Sequence, residues 1–187
     1  MRCLVTGAKG LLGSELVRYL EDVGDEVVAW DLPDNDITDV EKTISNIHLV
    51  RPDTIFHLAA WTDVDACESD RARAALVNFQ GTWGVAMGAA EVGAQLLYVS
   101  TDYVFSGRSS RPYRETDKPD PISVYGRTKL MGEQAVLRTC KRRFVVRTAW
   151  LYGRAGHCFV DRISERARDE AVIRVVSGQT GAAAWAR

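Results

Sequence analysis

The sequence has 187 residues, of which 46% are hydrophobic and 26% are charged, and its 24 Lys and Arg residues nearly balance its 25 Asp and Glu residues. This composition is typical of a globular domain and excludes a disordered chain. The net charge of −1 excludes a generic polyanion binder, so we expect no nucleic-acid partner. Charged residues interrupt every apolar run before the roughly 18 residues that a membrane span needs, so we expect no membrane partner. No signal-peptide core precedes the first glycine loop, which predicts a cytoplasmic protein.

The cysteines and histidines are widely spaced and include no Cys-x-x-Cys pair. The sequence therefore predicts neither a metal site nor a disulfide framework, and the cysteines are interpreted as small core or surface residues in a reducing compartment. The residues concerned are Cys3, Cys67, Cys140, Cys158, His48, His57 and His157.

Short β-branched runs alternate with longer helical patterns along the chain. Six strands separated by helices predict an α/β fold, a Rossmann-type doubly wound parallel sheet covered on both faces, and a single domain over residues 1–187. The irregular segment 101–123 follows the fourth strand, where ligands of such sheets bind. The predicted elements in chain order are strand Arg2–Thr6, helix 11–23, strand Glu26–Trp30, helix Val40–Val50, strand Thr54–His57, helix 69–92, strand 95–99, helix Val124–Thr139, strand 144–147, helix 159–168 and strand 172–176.

A glycine loop follows the first strand and opens the first helix. Gly7 permits a tight turn, Gly10 lets the backbone approach a pyrophosphate, and Gly13 lets helix and strand pack closely. Asp31 ends the second strand at about the 20-residue distance typical of an acid that binds the adenosine ribose, which favours NAD. A generic strand-helix turn is the alternative. Lys9 favours a 2′-phosphate, so the sequence leaves NADH and NADPH open.

Tyr125 and Lys129 lie four residues apart, on one face of a helix that follows the long loop. A phenol serves poorly as an acid or base at neutral pH unless a cation stabilises its phenolate, and Lys129 can supply that cation. The pair alone is also common on solvated helices. Ser100 and Thr101, at the end of the fourth strand, add hydroxyl groups at the same edge of the sheet.

Four further motifs resemble the dTDP-4-dehydrorhamnose reductase family, within the extended short-chain dehydrogenases/reductases. They are HLAAWTDVD at 57–65, YVSTDYVF at 98–105, VYGRTKLMGE at 124–133 and RTAWLYG at 147–153. The resemblance runs from Arg2 to about Val176.

This resemblance implies hydride transfer from NADPH or NADH to the C4 ketone of a dTDP-4-keto-6-deoxy sugar. Tyr125 would donate the proton, Lys129 would lower the pKa of Tyr125 and bind the nicotinamide ribose, and Thr101 would hydrogen-bond the carbonyl oxygen. The implied cofactor-binding residues are Gly7, Gly10, Leu11, Gly13, Asp31, Asp36, Ile37, Ala59, Ala60, Tyr125 and Lys129. The implied substrate-binding residues are Thr62, Val64, Tyr103 and Trp150.

Several of these residues have simpler explanations. Ala59 and Ala60 are small enough for a crowded sheet edge, and Val64 and Trp150 suit core packing. The segment 36–39 also suits a helix N-cap with a hydrophobic staple.

The sequence departs from the family pattern near its C-terminus. Residues 177–185 resemble the family's Asp-Gln-x-Gly-x-Pro-Thr stretch, but Gly178 replaces Asp, and Ala183 and Ala184 replace Pro-Thr. Cys158 stands where the family usually has Asn. The resemblance implies a C-terminal substrate-binding lobe that the chain largely lacks, so we expect a truncated Rossmann domain.

Three functions therefore stay open. The first is the ketoreductase, and the second is another extended-family sugar-nucleotide enzyme, such as an epimerase or a dehydratase. Dehydratases usually carry Thr-Asp-Glu where this chain has Thr101-Asp102-Tyr103. The third is a truncated or regulatory cofactor-binding relative without turnover, similar to the regulatory subunit of methionine adenosyltransferase. The intact Thr101, Tyr125 and Lys129 favour an enzyme. Homodimerisation through the helix 69–92 and the Tyr125 helix is a further hypothesis.

Overall fold

Five parallel strands form the central sheet of the computed structural model, which describes residues 1–155, 158–178 and 181–186. Their order is β2-β1-β3-β4-β5, so the winding of the chain reverses between β1 and β3. Ligands of doubly wound sheets bind outside the carboxyl ends of the strands at such a point. The fold therefore positions a site above the ends of β1 and β3. The strands are β1 (Arg2–Thr6), β2 (Glu26–Trp30), β3 (Thr54–His57), β4 (Gln95–Thr101) and β5 (Arg143–Thr148).

Helices cover the two faces of the sheet, and the predicted Rossmann-type fold class is confirmed. Because successive side chains of a strand point to opposite faces, Cys3 and Val5 pack with Leu20 of the first helix, whereas Leu4 and Ile55 pack in the larger core on the other side. The helices are α1 (Leu11–Asp22), α2 (Val40–Val50), α3 (Val64–Ser69), α4 (Arg71–Ala75), α5 (Thr82–Val92), α6 (Val124–Thr139) and α7 (Phe159–Asp169), and a π-helical segment (Leu76–Gly81) joins α4 to α5.

Side-chain caps start most of the helices that border the site. Asp39, Asp63 and Ser123 accept hydrogen bonds from backbone N–H groups in the first turns of α2, α3 and α6. The N-cap of α1 is Gly10, which has no side chain to offer. The first amides of α1 therefore lack a side-chain acceptor.

The predicted continuous helix 69–92 is wrong at its start. Asp70 ends α3 and accepts a hydrogen bond from the backbone N–H of Arg73, so it caps α4 instead of continuing a helix. An aspartate side chain competes for backbone amides in this way, which favours caps over helix interiors. The helix α3 was not predicted.

The predicted sixth strand at 172–176 is also wrong. Within the described ranges this segment pairs with no strand, and a separate parallel pair forms from β6 (Leu151–Gly153) and β7 (Ala184–Ala186). A β-branched run becomes a strand only where it packs on a pleated surface. Coverage of the main sheet is also incomplete at β5, where Phe144 and Val146 are 57% and 43% exposed.

Some expectations concern residues that the structure does not describe, namely His157, Gln179 and Thr180. In the described parts of the chain, no helix is both long and apolar enough to cross a membrane. The same parts hold no group of three His, Cys, Asp or Glu side chains suited to a metal ion. The four cysteines are buried free thiols.

Candidate active site

A cleft of about 1010 Å³ lies over the carboxyl ends of the five strands. Thr6, Thr101 and Thr148 line it where β1, β4 and β5 end, and Asp31 and Leu58 line it directly after β2 and β3. Every residue predicted for catalysis, cofactor binding or substrate binding also lines this cleft. The fold thus brings together residues spread from Gly7 to Trp150.

The glycine loop forms the floor of one end of the cleft. Gly7 has a φ of +70°, and a Cβ added there would lie 2.7 Å from the backbone nitrogen of Ala59. A Cβ on Gly13 would collide with the carbonyl oxygen of Gly7. The first turn of α1 has neither a side-chain cap nor an acidic residue. Its amides and the positive end of the helix dipole therefore suit the pyrophosphate of a dinucleotide.

Asp31 is fixed beside this loop by backbone hydrogen bonds. Its carboxylate accepts from the backbone N–H of Lys9 at 2.7 Å and from that of Leu32 at 2.8 Å. Lys9 Nζ donates to the carbonyl oxygen of Leu32 at 3.1 Å. Each carboxylate oxygen keeps a further lone pair, so Asp31 is able to accept hydrogen bonds from ribose hydroxyls.

The segment after β2 serves the fold as well as the cleft. Asp36 accepts from the backbone N–H and the hydroxyl of Thr38 at 2.9 and 2.8 Å. Asp39 is the N-cap of α2 and accepts from the backbone N–H of Lys42 at 3.1 Å. Ile37 is only 6% exposed and belongs to the larger core. The N-cap alternative is therefore realised at Asp39, while Asp36 and Ile37 still line the cleft.

Tyr125 and Thr101 meet at the other end of the cleft. Burial raises the pKa of Tyr125 to about 12, and a hydrogen bond with the Thr101 hydroxyl opposes this rise. The Thr101 hydroxyl also donates to Asp102 Oδ1 and accepts from the backbone N–H of Tyr103, each at 3.2 Å. The phenol of Tyr125 is consequently protonated at neutral pH, which is the state that a proton donor requires.

Lys129 lies one helical turn further along α6 and is buried. Its Nζ donates to the carbonyl oxygen of Val99 at 2.8 Å and lies 4.3 Å from the centroid of the Tyr98 ring. Burial lowers the pKa of Lys129 to about 7, and the charge of Glu133 opposes this change. The ammonium and the amine are therefore both populated near neutral pH.

The predicted substrate-binding residues lie around Tyr125 and at the rim. Val64 and Tyr103 pack in a cluster that contains Tyr125, and the rings of Tyr103 and Tyr125 meet edge to face at 5.6 Å. Trp150 has a φ of +47° and is 47% exposed, so it is not a core residue. Thr62 is exposed beside the cluster.

The sequence interpretation missed Asn78, a fully buried residue behind this end of the cleft. Its Oδ1 accepts from the backbone N–H of Trp61 at 2.8 Å, and its Nδ2 donates to the Trp61 carbonyl at 3.0 Å and to the Thr128 hydroxyl at 3.2 Å. Asn78 thus ties the loop after β3 to α6. A single asparagine inside an apolar, Ala-rich helix was the signal that could have found it.

The sequence interpretation gave two other cleft residues no binding role, although it placed the Ser100 hydroxyl at this edge of the sheet. The Ser100 hydroxyl is buried, and none of the described residues gives it a hydrogen-bond partner, which suggests a ligand atom as the partner. The guanidinium of Arg73 lies 4.7 Å from the centroid of the Trp61 ring and lines the cleft. Arg73 therefore brings positive charge close to the predicted substrate-binding residues.

Comparisons with known proteins show the family of this chain. Residues 1–187 match the family described as RmlD substrate binding domain. The spore coat polysaccharide biosynthesis protein SpsK of Bacillus subtilis is 38% identical over 186 residues, which are 100% of this chain and 66% of that protein. A dTDP-4-dehydrorhamnose reductase of Streptomyces griseus is 44% identical over 185 residues, 98% of this chain and 61% of that protein.

A solved structure shows the same fold. The dTDP-4-dehydrorhamnose reductase of Bacillus anthracis, in complex with NADP, superposes with a TM-score of 0.95 at 37% identity and covers 99% of this chain and 66% of that one. The chain thus spans slightly less than two thirds of the length of these relatives.

Proposed function

Because the chain belongs to the RmlD substrate binding domain family, we propose that it catalyses the NAD(P)H-dependent reduction of the C4 ketone of a dTDP-4-keto-6-deoxy sugar. One observation carries the proposal. Thr101, Tyr125 and Lys129 line the same cleft as the glycine loop and Asp31, and Thr101 is hydrogen-bonded to Tyr125. Residues 1–187 act as one NAD(P)-binding domain in this proposal.

The cleft suits NADH or NADPH. The uncapped N-terminus of α1 would hold the pyrophosphate, and Asp31 would accept hydrogen bonds from the adenosine ribose. Bound NADH or NADPH supplies the hydride. The Bacillus anthracis relative was solved with NADP, and the Lys9 ammonium beside Asp31 is the group available to a 2′-phosphate.

Three side chains of this protein would bring about proton transfer to the ketone oxygen. The ketone oxygen would accept hydrogen bonds from the Tyr125 phenol and from the Thr101 hydroxyl, whose single proton would turn to it from Asp102. Both hydrogen bonds polarise the carbonyl group. Tyr125 then gives its proton to the developing alkoxide, and the ammonium of Lys129 stabilises the phenolate left behind. General acid catalysis of this kind contributes about 10²- to 10⁴-fold to the rate.

The sugar nucleotide would occupy the rim around Tyr125. Thr62, Val64, Tyr103 and Trp150 would contact it, and the guanidinium of Arg73 would face its diphosphate. The relatives named dTDP-4-dehydrorhamnose reductase support this substrate class.

The proposal includes a homodimer that forms through α5 and α6. Trp83 on α5 and Met131 and Leu137 on α6 are 42%, 38% and 48% exposed, which supports an interface there. Light scattering at micromolar concentration should give a dimer mass, and a monomer mass would contradict this part. We also propose a cytoplasmic location, which the free thiols support.

The test is oxidation of NADPH and NADH by the 187-residue chain in the presence of dTDP-4-dehydro-6-deoxy-L-mannose. Tyr125→Phe should lower kcat by about 10²- to 10⁴-fold while cofactor affinity is retained. Tyr19→Phe is the matched control, because Tyr19 is an exposed phenol on α1 outside the cleft. Cofactor binding without any turnover by the wild type would contradict the proposal and favour a binding protein, and a change of configuration without net cofactor oxidation would favour an epimerase.

A further inference from the structure

Two successive residues of β4, Tyr98 and Val99, contact the ammonium group of Lys129. Nζ donates to the Val99 carbonyl at 2.8 Å, and the face of the Tyr98 ring lies on another side, 4.3 Å from Nζ to the ring centroid. An ammonium over the face of an aromatic ring is attracted by the negative face of its quadrupole. The attraction grows when water is excluded, and Lys129 is only 3% exposed.

The Tyr98 ring is itself held in place. Its hydroxyl donates to the carbonyl oxygen of Lys129 at 3.4 Å and is hydrogen-bonded to Thr82. The ring stacks on His57, with 5.4 Å between centroids and 26° between planes. His57 is fixed in turn by the hydroxyls of Thr6 at 2.7 Å and Thr82 at 3.0 Å. The ring is thus packed against β3 and α5 and has no room to turn away from Lys129.

We propose that Tyr98 is a positioning residue whose ring holds the Lys129 ammonium in the wall of the cleft. From this position the ammonium would stabilise the phenolate of Tyr125. The stabilisation of the Tyr125 phenolate by Lys129 rests on the proposed function, whereas the contact between the Tyr98 ring and the Lys129 ammonium does not. The ring, rather than the hydroxyl, carries this role, because the partners of the hydroxyl among the described residues are the Lys129 carbonyl and Thr82.

The charges around Lys129 show why the ring matters. Burial lowers the pKa of Lys129, and Glu133 on the same helix opposes it, but Glu133 is already engaged by Arg147 of β5. Burial also lowers the pKa of His57 to about 3, so His57, which stacks on the ring, carries no positive charge near neutral pH. Burial raises the pKa of Tyr98, which stays neutral. Tyr98 is therefore a neutral group in direct contact that favours the ammonium.

The test is the titration of Lys129, followed by NMR of the side-chain ¹³Cε and ¹⁵Nζ nuclei in the full chain, with Lys129→Met to assign the signal. Tyr98→Phe keeps the ring and should leave the titration midpoint of Lys129 unchanged. Tyr98→Met keeps bulk without the ring and should lower the pKa of Lys129 by about one unit, a tenfold loss of ammonium relative to amine.

Leu96→Ala is the matched control, because Leu96 is a fully buried residue of the same strand and the same core. It should destabilise the protein without moving the Lys129 signal. If Tyr98→Met does not fold, Tyr98→Leu takes its place. Equal midpoints in wild type, Tyr98→Phe and the non-aromatic variant would overturn the proposal.

Activity separates this proposal from the proposed function. In an active enzyme, kcat should fall at alkaline pH as the Lys129 ammonium loses its proton. The pKa of this fall should be about one unit lower in Tyr98→Met than in the wild type, with little change in the KM of the sugar nucleotide. If the wild type reduces no ketone, the proposed function fails, but the NMR titration still decides whether the ring holds the ammonium.

Discussion

Replacement of His57 by glutamine should make the stability of the protein less sensitive to acid. His57 is fully buried at the end of β3, between the hydroxyls of Thr6 and Thr82. Burial is the main cause that lowers its pKa from 6.5 to about 3, and the charge of Lys129 adds to it. His57 therefore stays neutral in the folded protein at pH values between 6.5 and 3, where it is protonated in the unfolded chain.

The magnitude follows from this difference between the two states. Well above pH 6.5 the imidazole is neutral in both states, so it does not change the free energy of unfolding with pH. As the pH falls from 6.5 towards 3, the unfolded state gains about 1.4 kcal/mol per pH unit relative to the folded state. Between pH 7 and pH 5, His57 should thus remove about 2 kcal/mol from the free energy of unfolding.

The assay is urea unfolding at pH 7 and pH 5, with the difference compared between variants. His57→Gln should lose about 2 kcal/mol less than the wild type over this interval, because glutamine does not titrate. The control is Leu96→Ala, which removes a fully buried apolar side chain on the neighbouring strand without changing a titrating group and should keep the wild-type difference. Equal losses in the wild type and His57→Gln would refute the reasoning.

Three further predictions concern charged groups. In a fluorescence titration, Asp31→Ala should raise the Kd of NADH about 10- to 100-fold, because the adenosine ribose loses a charged acceptor. The Kd of NADPH should rise less, because the 2′-phosphate is no longer repelled. An unchanged Kd of NADH would contradict the ribose role of Asp31. Glu133→Gln should cost about 1–3 kcal/mol in urea unfolding, because it replaces the buried carboxylate that accepts two hydrogen bonds from the half-buried Arg147 guanidinium. The exposed Glu170→Gln should leave the midpoint unchanged. Arg73→Met should raise the KM of the sugar nucleotide about tenfold without changing NADH affinity, and an unchanged KM would argue against a diphosphate contact.

The composition of the cleft was predictable because of the parallel sheet. Gly7, Asp31, Ala59 and Thr101 each end or closely follow a strand of that sheet. Parallel strands of one sheet all present their carboxyl ends at the same edge, so correct strand predictions suffice to bring these residues together. The conformations of the loops did not have to be known.

The helical region between β3 and β4 was harder to predict, because local and tertiary effects compete there. The Ala-rich sequence of 69–92 predicts one long helix, yet Asp70 ends α3 and caps α4. The π-helical segment then carries Asn78 to the backbone of Trp61. Such segments are frequently found at functional sites, and the position of this one depends on a partner distant in the sequence.

The protonation states of Tyr125 and Lys129, the proposed catalytic pair, were the least predictable feature. The spacing of Tyr125 and Lys129 predicts that they share a helix face, and it favours an ammonium that lowers the pKa of the phenol. In the structure, that face is buried against β4, and burial raises the pKa of Tyr125 and lowers that of Lys129. Both shifts favour the uncharged forms, so the contacts that Val99 and Tyr98 make with the ammonium act against burial. The depth of the site, which is a property of sheet packing rather than of residue spacing, therefore decides how much positive charge Lys129 can offer to Tyr125.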